Sequence, residues 1–369
     1  MKVVHVISGL GNGGAEGMLV RLCEESRDVQ HIVVALTNDL SKSNILHEIG
    51  VKVFVFNLRN KLNFISQIKN IVGVVRGNEP NVIQTWMYAG DLVGSLVGAI
   101  LNIPVIWNVR HSTFSFNRKN FKNIILRFIL ALISWFSPKK VIFCSKSALE
   151  IHARIGYRRN KLLFVPNGYS NSFGFKFFDN VLKSSNDGIP RFGMLARYNE
   201  QKDHVTLLEA CAIVRDRGFE FELHIGGKDI DNDNCELAAI IYNNNLSKNV
   251  FLHGFVDDTE QFWSKIDVGV LSSKSGEAFP NVIAEAMLCG VPCIVTNVGD
   301  SASIVCDSGW VVPPSSKLAL SEAICDAIRE RMTANWRSRC KDARQKIEVS
   351  YSIDQSVLTY KNIWTQVAK

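Results

Sequence analysis

Twice along the chain, short runs of β-branched and other apolar residues alternate with amphipathic stretches long enough to form helices, and few folds accommodate that alternation. The first series places strands at 2–8, 31–36, 51–56, 80–84, 104–109, 140–144 and 162–165. Parallel neighbours cannot be joined by a tight turn and need a crossover of a dozen or more residues, usually helical. The pattern therefore predicts an α/β, doubly wound parallel sheet. It lapses after Pro166-Asn167-Gly168, in a segment rich in Ser, Asn, Gly and Phe, and restarts with strands near 191–196, 219–226, 249–253, 267–271, 292–296 and 309–312. Helices are expected near 203–217, 235–245, 279–289 and 316–346. Two domains follow, 1–170 and 191–351, with 171–190 as linker and a terminal helix over 352–369 expected to pack back on the first domain.

Size agrees with this division, since 369 residues exceed the ~250–300 at which one core stops growing. Nine cysteines without a Cys-x-x-Cys pair argue against a disulfide framework or a zinc site. Met1-Lys2 runs straight into an apolar strand, which predicts no signal peptide and a reducing cytoplasm. Charge is unevenly spread: residues 1–170 carry 21 Lys and Arg against 9 Asp and Glu, a balance of +12, and the remainder 21 against 26, a balance of −5. A basic half suits a polyanion, either nucleic acid or an anionic membrane.

The most apolar helical segment, 121–136, is interrupted by Arg127, flanked by Arg118, Lys119, Lys122, Lys139 and Lys140, and too short for the ~20 residues of a membrane span. Two readings stay open: a helix lying in the membrane interface, or one buried against the sheet.

Two motifs carry the chemistry. Gly9-Leu10-Gly11-Asn12-Gly13-Gly14 follows the first strand and opens a helix, a place where backbone N–H groups approach a pyrophosphate. The same string fits an NAD(P)-dependent oxidoreductase, for which Asp39 stands near the position of a ribose-binding acid. In the second half, Ser275-Gly276-Glu277-Ala278-Phe279-Pro280-Asn281-Val282-Ile283-Ala284-Glu285 follows the strand at 267–271, and Pro280 starts a helix whose first N–H groups suit a phosphate. That helix is apolar nearly all round, so a carboxylate at Glu285 needs a partner, which a ribose would supply.

The run from Glu277 to Met287 resembles the E-x7-E motif of the large retaining glycosyltransferase group (family 4, group 1 type) that includes bacterial O-antigen and capsule enzymes. The resemblance extends over nearly the whole chain: Gly13-Gly14-Ala15-Glu16, Val165-Pro166-Asn167-Gly168, Arg197 with Lys202, His253-Gly254-Phe255-Val256 and Gly290-Val291-Pro292. It implies the GT-B type, two Rossmann-like domains facing across a cleft. It also implies transfer of a sugar, with retention, from a nucleotide diphosphate donor, UDP favoured, to a lipid-linked saccharide. A sugar-nucleotide epimerase of the same fold is the alternative.

By resemblance, Arg197 and Lys202 clamp the diphosphate, Glu277 and His111 contact the sugar, and Glu285 holds the ribose. The stretch Phe279, Pro280, Asn281 and Val282 supports the phosphate, through the backbone N–H groups of Phe279, Asn281 and Val282 at the helix that Pro280 starts, with Gly13 and Gly14 facing it from the first domain. The family's Thr-Asp after the Gly-x-Pro strand is here Thr296-Asn297. Asp229-Ile230-Asp231-Asn232-Asp233 lacks the Gly and Glu of a calcium loop, having Asn234 and Ile240, and reads as a solvated turn. No cofactor or metal is expected and no nucleic acid. The partners implied are the nucleotide-sugar donor, a polyprenyl-diphosphate-linked acceptor and an anionic membrane surface, with the enzyme at the cytoplasmic face of the inner membrane.

Overall fold

The computed structural model describes residues 1–58, 63–110, 121–178 and 188–368, with the side chains of 121–123 excepted. The chain divides into two compact units, Met1–Gly168 together with Ile353–Lys369, and Tyr169–Ser352.

In the first unit the strands are β1 (Lys2–Ile7), β2 (Gln30–Ala35), β3 (Lys52–Val55), β4 (Val82–Trp86), β5 (Val105–Val109), β6 (Pro138–Phe143) and β7 (Leu162–Phe164). All pair in parallel in the order β3-β2-β1-β4-β5-β6-β7. Crossovers are α1 (Gly14–Glu25), α2 (Ser43–Glu48), α3 (Phe64–Asn78), α4 (Met87–Leu101), α5 (Phe121–Ile133) and α6 (Lys146–Arg154). Strands buried on both faces explain the continuous apolar runs in the sequence. Helix α4 lies close on the sheet because Gly90, Gly94 and Gly98 form its inward stripe. A Cβ at Gly90 would stand 2.6 Å from the Val6 carbonyl oxygen, and one at Gly94 2.2 Å from the Thr85 methyl.

The core of this unit also holds a polar chain. Trp86 Nε1–H donates to His5 Nδ1 at 3.2 Å, which leaves the proton of a neutral His5 on Nε2. That proton is directed to His31 Nδ1 at 2.9 Å, and His31 in turn donates from Nε2 toward Ser26. Both rings are satisfied only when neutral, and burial depresses the pKa of each, His31 to about 4.

The second unit repeats the plan with β8 (Arg191–Leu195), β9 (Glu222–Gly226), β10 (Val250–Leu252), β11 (Val268–Leu271), β12 (Cys293–Thr296) and β13 (Trp310–Val312). Again the pairing is parallel, in the order β10-β9-β8-β11-β12-β13. Its helices are α7 (His204–Asp216), α8 (Cys235–Asn243), α9 (Thr259–Trp263), α10 (Asn281–Leu288), α11 (Ser301–Val305), α12 (Lys317–Arg331) and α13 (Trp336–Ser350).

The one helix expected at 316–346 is thus two. Met332 and Thr333 close the first with bonds to carbonyls three residues back, and the Thr333 hydroxyl takes the Asn335 N–H before the second begins. The terminal helix α14 (Ile353–Ala368) belongs to the first unit, where Tyr360 and Trp364 enter the core beside α1. Residues 171–178, the first part of the expected linker, are fastened to the second unit. Arg344 donates to the carbonyls of Asn171 (2.6 Å), Phe173 (3.2 Å) and Leu288, and the Gly174 N–H donates to Glu260. Of the rest of that segment, 179–187 lies outside the described residues.

Candidate active site

In each sheet the strand order reverses beside the first strand, between β1 and β4 and between β8 and β11, and at such switch points the loops leaving the strand ends part and leave a crevice. The second unit equips its crevice for an anion. Lys202, on the loop after β8, places Nζ 2.5 Å from Oε1 of Glu277, on the loop after β11. The Ser273 hydroxyl donates to the same oxygen at 2.6 Å, and the Thr296 hydroxyl anchors the Ser273 carbonyl at 2.6 Å. Only 19% of the Lys202 side chain and 10% of the Glu277 side chain remain exposed. At this burial the attraction is screened less than in a surface ion pair, and removing one partner strands the charge of the other.

Two glycines shape the loop around Glu277. Gly276 adopts φ +83°. Gly299, at φ +62°, lets the loop after β12 come so near that a Cβ there would stand 2.3 Å from the Glu277 carbonyl oxygen. Asp300 N–H then bonds the Ala278 carbonyl at 3.0 Å.

Helix α10 begins directly after this loop. Pro280 is its N-cap with extended backbone, and no side chain caps it. Its first N–H groups and the positive end of its dipole thus stand where an anion would be stabilised. Asn281, Val282 and Glu285 are half-buried, whereas Ile283, Ala284, Ala286, Met287 and Leu288 are buried. Glu285 lies four residues after Asn281 and three after Val282, the spacings that make helix neighbours, so the helix is less enclosed than its sequence suggests and Glu285 stands on its open side. Phe279 is buried beside Tyr169 and Tyr351, and the Tyr169 hydroxyl donates to the Asn281 side-chain oxygen.

Of the residues singled out in sequence, Lys202, Glu277, Phe279, Pro280, Asn281, Val282 and Glu285 therefore lie on the loops after two neighbouring strands, β8 and β11, and on one helix of this unit. Arg197 is exposed at the end of β8, on the loop that carries Lys202. Gly227, at φ +145°, packs on the backbone at Ala196 and Arg197.

Gly13 and Gly14 belong to the first unit, where Gly13 caps α1. A Cβ on Gly13 would stand 2.3 Å from Oε2 of Glu16, and one on Gly11 2.4 Å from Oδ2 of Asp39. The helix start read in sequence as a phosphate turn thus faces two carboxylates. Burial, with Asp39 adding to it, raises the pKa of Glu16. His111 lies outside the described residues.

Ser273 and Tyr169 escaped the sequence reading, and Thr296 entered it only as the first residue of Thr296-Asn297, without the role its hydroxyl takes on the Ser273 carbonyl. The roles of Ser273 and Thr296 appear only when the loops after β11 and β12 meet. His204 was missed too. It is buried at the start of α7, neither ring nitrogen has a hydrogen-bond partner, and burial followed by the Lys202 charge lowers its pKa to about 4.

Metal-ligating groups lie elsewhere. Among the described residues, His5, Cys23 and His31 bring three donor atoms within 4.8 Å of one another. The two imidazoles there already bond to each other, so a cation would have to displace that bond. In the acidic turn, the Asp229 carbonyl takes the Asn234 side-chain amide and Asp231 takes the Asp233 N–H, leading into the Asn234 cap of α8.

Comparison with known proteins gives these loops a context. Residues 12–172 match the model described as Glycosyltransferase Family 4, and residues 189–330 the one described as Glycosyl transferases group 1. The putative glycosyltransferase EpsF of Bacillus subtilis is 23% identical over 98% of this chain and 96% of its own length. An Escherichia coli UDP-Gal:alpha-D-GlcNAc-diphosphoundecaprenol alpha-1,3-galactosyltransferase is 23% identical over 68% of this chain and 67% of its own. Among solved structures, Anabaena HepE in complex with UDP matches 99% of this chain and 100% of its own at a TM-score of 0.85 and 18% identity. The fold is that of the GT-B glycosyltransferases.

Proposed function

The chain belongs to the family 4, group 1 type of glycosyltransferases, and from that premise we propose that it transfers a hexosyl unit, with retention, from a UDP-sugar to a polyprenyl-diphosphate-linked saccharide. The work is the assembly of a bacterial surface polysaccharide of the O-antigen or capsule kind, at the cytoplasmic face of the inner membrane. The observation that carries this reading is the Lys202–Glu277 pair beside the start of α10. It offers a cation, a helix dipole and a sugar-binding carboxylate within one loop system. HepE, crystallised with UDP and with UDP-glucose, and the Escherichia coli galactosyltransferase, whose acceptor is a diphosphoundecaprenol saccharide, support the choice of donor and acceptor.

In the proposed reaction the bond from the sugar C1 to the diphosphate oxygen breaks, with its electron pair leaving on the phosphate. The acceptor hydroxyl bonds to C1 on the same face, and its proton passes to the departing phosphate oxygen. Arg197, Lys202 and the N–H groups of Phe279, Asn281 and Val282 stabilise the charge that develops on that phosphate. Glu277 takes a hydroxyl of the transferred sugar, Glu285 the ribose, and His111 is assigned to the sugar as well. No metal is invoked, because the cations and helix start supply the neutralising charge.

The test is transfer from labelled UDP-, GDP- and ADP-sugars to a polyprenyl-diphosphate saccharide, with the anomeric configuration of product read by NMR. Arg197→Ala should lower kcat by roughly 10²-fold or more, on the scale of one lost charge-stabilising donor. Unchanged turnover in that variant, or a donor converted to another sugar nucleotide without any acceptor, would overturn the proposal.

A further inference from the structure

Two neighbouring helices of the first unit are inside out. Helix α4 turns Gly90, Gly94 and Gly98 toward the sheet and presents Leu92, Leu96 and Ile100, four residues apart, on its outer face. Helix α5, which packs beside it, buries Leu130 and Ala131 but exposes Phe128, Leu132 and, one turn past its end, Phe136. Exposure of these six side chains runs from 40% for Leu92 to 81% for Phe136. The polar groups of the second helix turn the other way. The Arg127 guanidinium lies 5.3 Å from the centre of the Tyr88 ring, and Ser134 is fully buried with its hydroxyl on the Ala131 carbonyl. A water-facing helix would carry the opposite arrangement.

Charge completes the pattern. Residues 92–149 contain eight Lys or Arg and no Asp or Glu. Of these, Arg110 is buried and Arg127 turns inward, while Lys139 is exposed; outside the stretch, Arg158, after α6, lies over the Trp135 ring at 5.7 Å. Large apolar side chains left exposed together on two helices in contact mark an interaction site. No helix of the described residues is long and apolar enough to cross a membrane.

We propose that the outer faces of α4 and α5, with Trp135 and Phe136, form a surface that lies in the headgroup–acyl boundary of an anionic bilayer. Both indole and phenyl rings and a basic margin are the chemistry of that boundary. A second copy of the chain is disfavoured as the occupant, because two surfaces of the same sign would meet. Docking deepens the proposed function, resting on it only for its purpose, which is to hold the enzyme where its lipid-linked acceptor resides.

The experiment is flotation of the full-length protein with phosphatidylglycerol-containing vesicles and with pure phosphatidylcholine vesicles. Donor binding is read in parallel by the thermal shift with UDP. Binding should need the anionic lipid and weaken with salt. Leu96→Asp on α4 and Leu132→Asp on α5 should each lower the vesicle partition at least tenfold while leaving the UDP-induced shift unchanged. Equal partition to both vesicle types overturns the proposal. So does loss of binding in Leu132→Asp alone with Leu96→Asp unaffected, or a wild-type dimer that Leu132→Asp converts to monomer without change in vesicle binding. Vesicle binding without any response to UDP would support the surface and count instead against the donor assignment.

Discussion

Both units place a helix start beside the switch point of a parallel sheet, yet they surround it with opposite charge. In the second unit the helix at Asn281 follows a loop held by Lys202, with Arg197 on the same strand-end segment. In the first, the helix at Gly14 faces the carboxylates of Glu16 and Asp39. Backbone geometry alone makes any helix N-terminus attractive to an anion. What decides is the side chains that reach it, so an anion of the donor is expected to find its main hold in the second unit. A second contrast lies on the outside. The first unit carries the apolar, acid-free face, while its interior holds polar chains centred on His5, His31 and Asp91.

The largest effect should come from the first unit's core. Trp364 is fully buried and donates to Gln84 at 3.0 Å, so Trp364→Ala should cost about 3–5 kcal/mol, measured by denaturant unfolding. If the terminal helix matters little to that unit, the loss will fall well below this.

Next comes the electrostatic contrast itself. Lys202→Ala should lower kcat by roughly 10²–10³-fold, about 3 kcal/mol. Glu16→Gln, which removes charge from the glycine turn, should change UDP affinity by less than about threefold. A Glu16→Gln effect as large as that of Lys202→Ala would reverse the assignment of roles.

Acid should find the first unit sooner than its carboxylates suggest. His5 and His31 are held neutral with folded-state pKa values below the unfolded 6.5, His31 at about 4. Between those values the unfolded chain binds more protons, so stability is full above about pH 6.5 and falls as pH drops toward 4. The slope reaches about 1.4 kcal/mol per pH unit for each ring. Replacing His31 by Gln should flatten that slope in thermal melts between pH 4 and 7.

Asp91 works in the other direction. It is fully buried, bonded to Thr85 at 2.5 Å, and burial raises its pKa from 3.8 to about 8. The stability tied to its neutral form is complete below the unfolded pKa and is lost as pH rises through 8. Asp91→Asn should therefore raise stability at pH 8 by at least about 1.4 kcal/mol, with no gain at pH 4. Equal melts for variant and wild type at pH 8 would mean the carboxyl is solvated.

How much was legible depends on the range of the interaction. Strand and helix placement was readable because alternation and helical spacing are local, and every strand expected in sequence overlaps one of the thirteen in the two sheets. The break between α12 and α13 was not, since Thr333 and Asn335 end a helix through hydrogen bonds that a hydrophobic period does not record. In the site, the Pro280 start and the stretch to Glu285 could be read directly, whereas the inward turn of Arg127 could not.

The sequence by itself determined two nucleotide-fold sheets, the helix start at Pro280 and the basic, acid-free stretch from 92 to 149. Only the tertiary structure decided that Lys202 meets Glu277 across 75 residues of chain, that Glu16 and Asp39 face the glycine turn, and that two apolar helices turn their small or polar sides inward. The reason is physical: periodicity fixes what a segment can form, but which face and which charge it meets is set by neighbours that are distant in sequence and arrive only when the sheet closes its order.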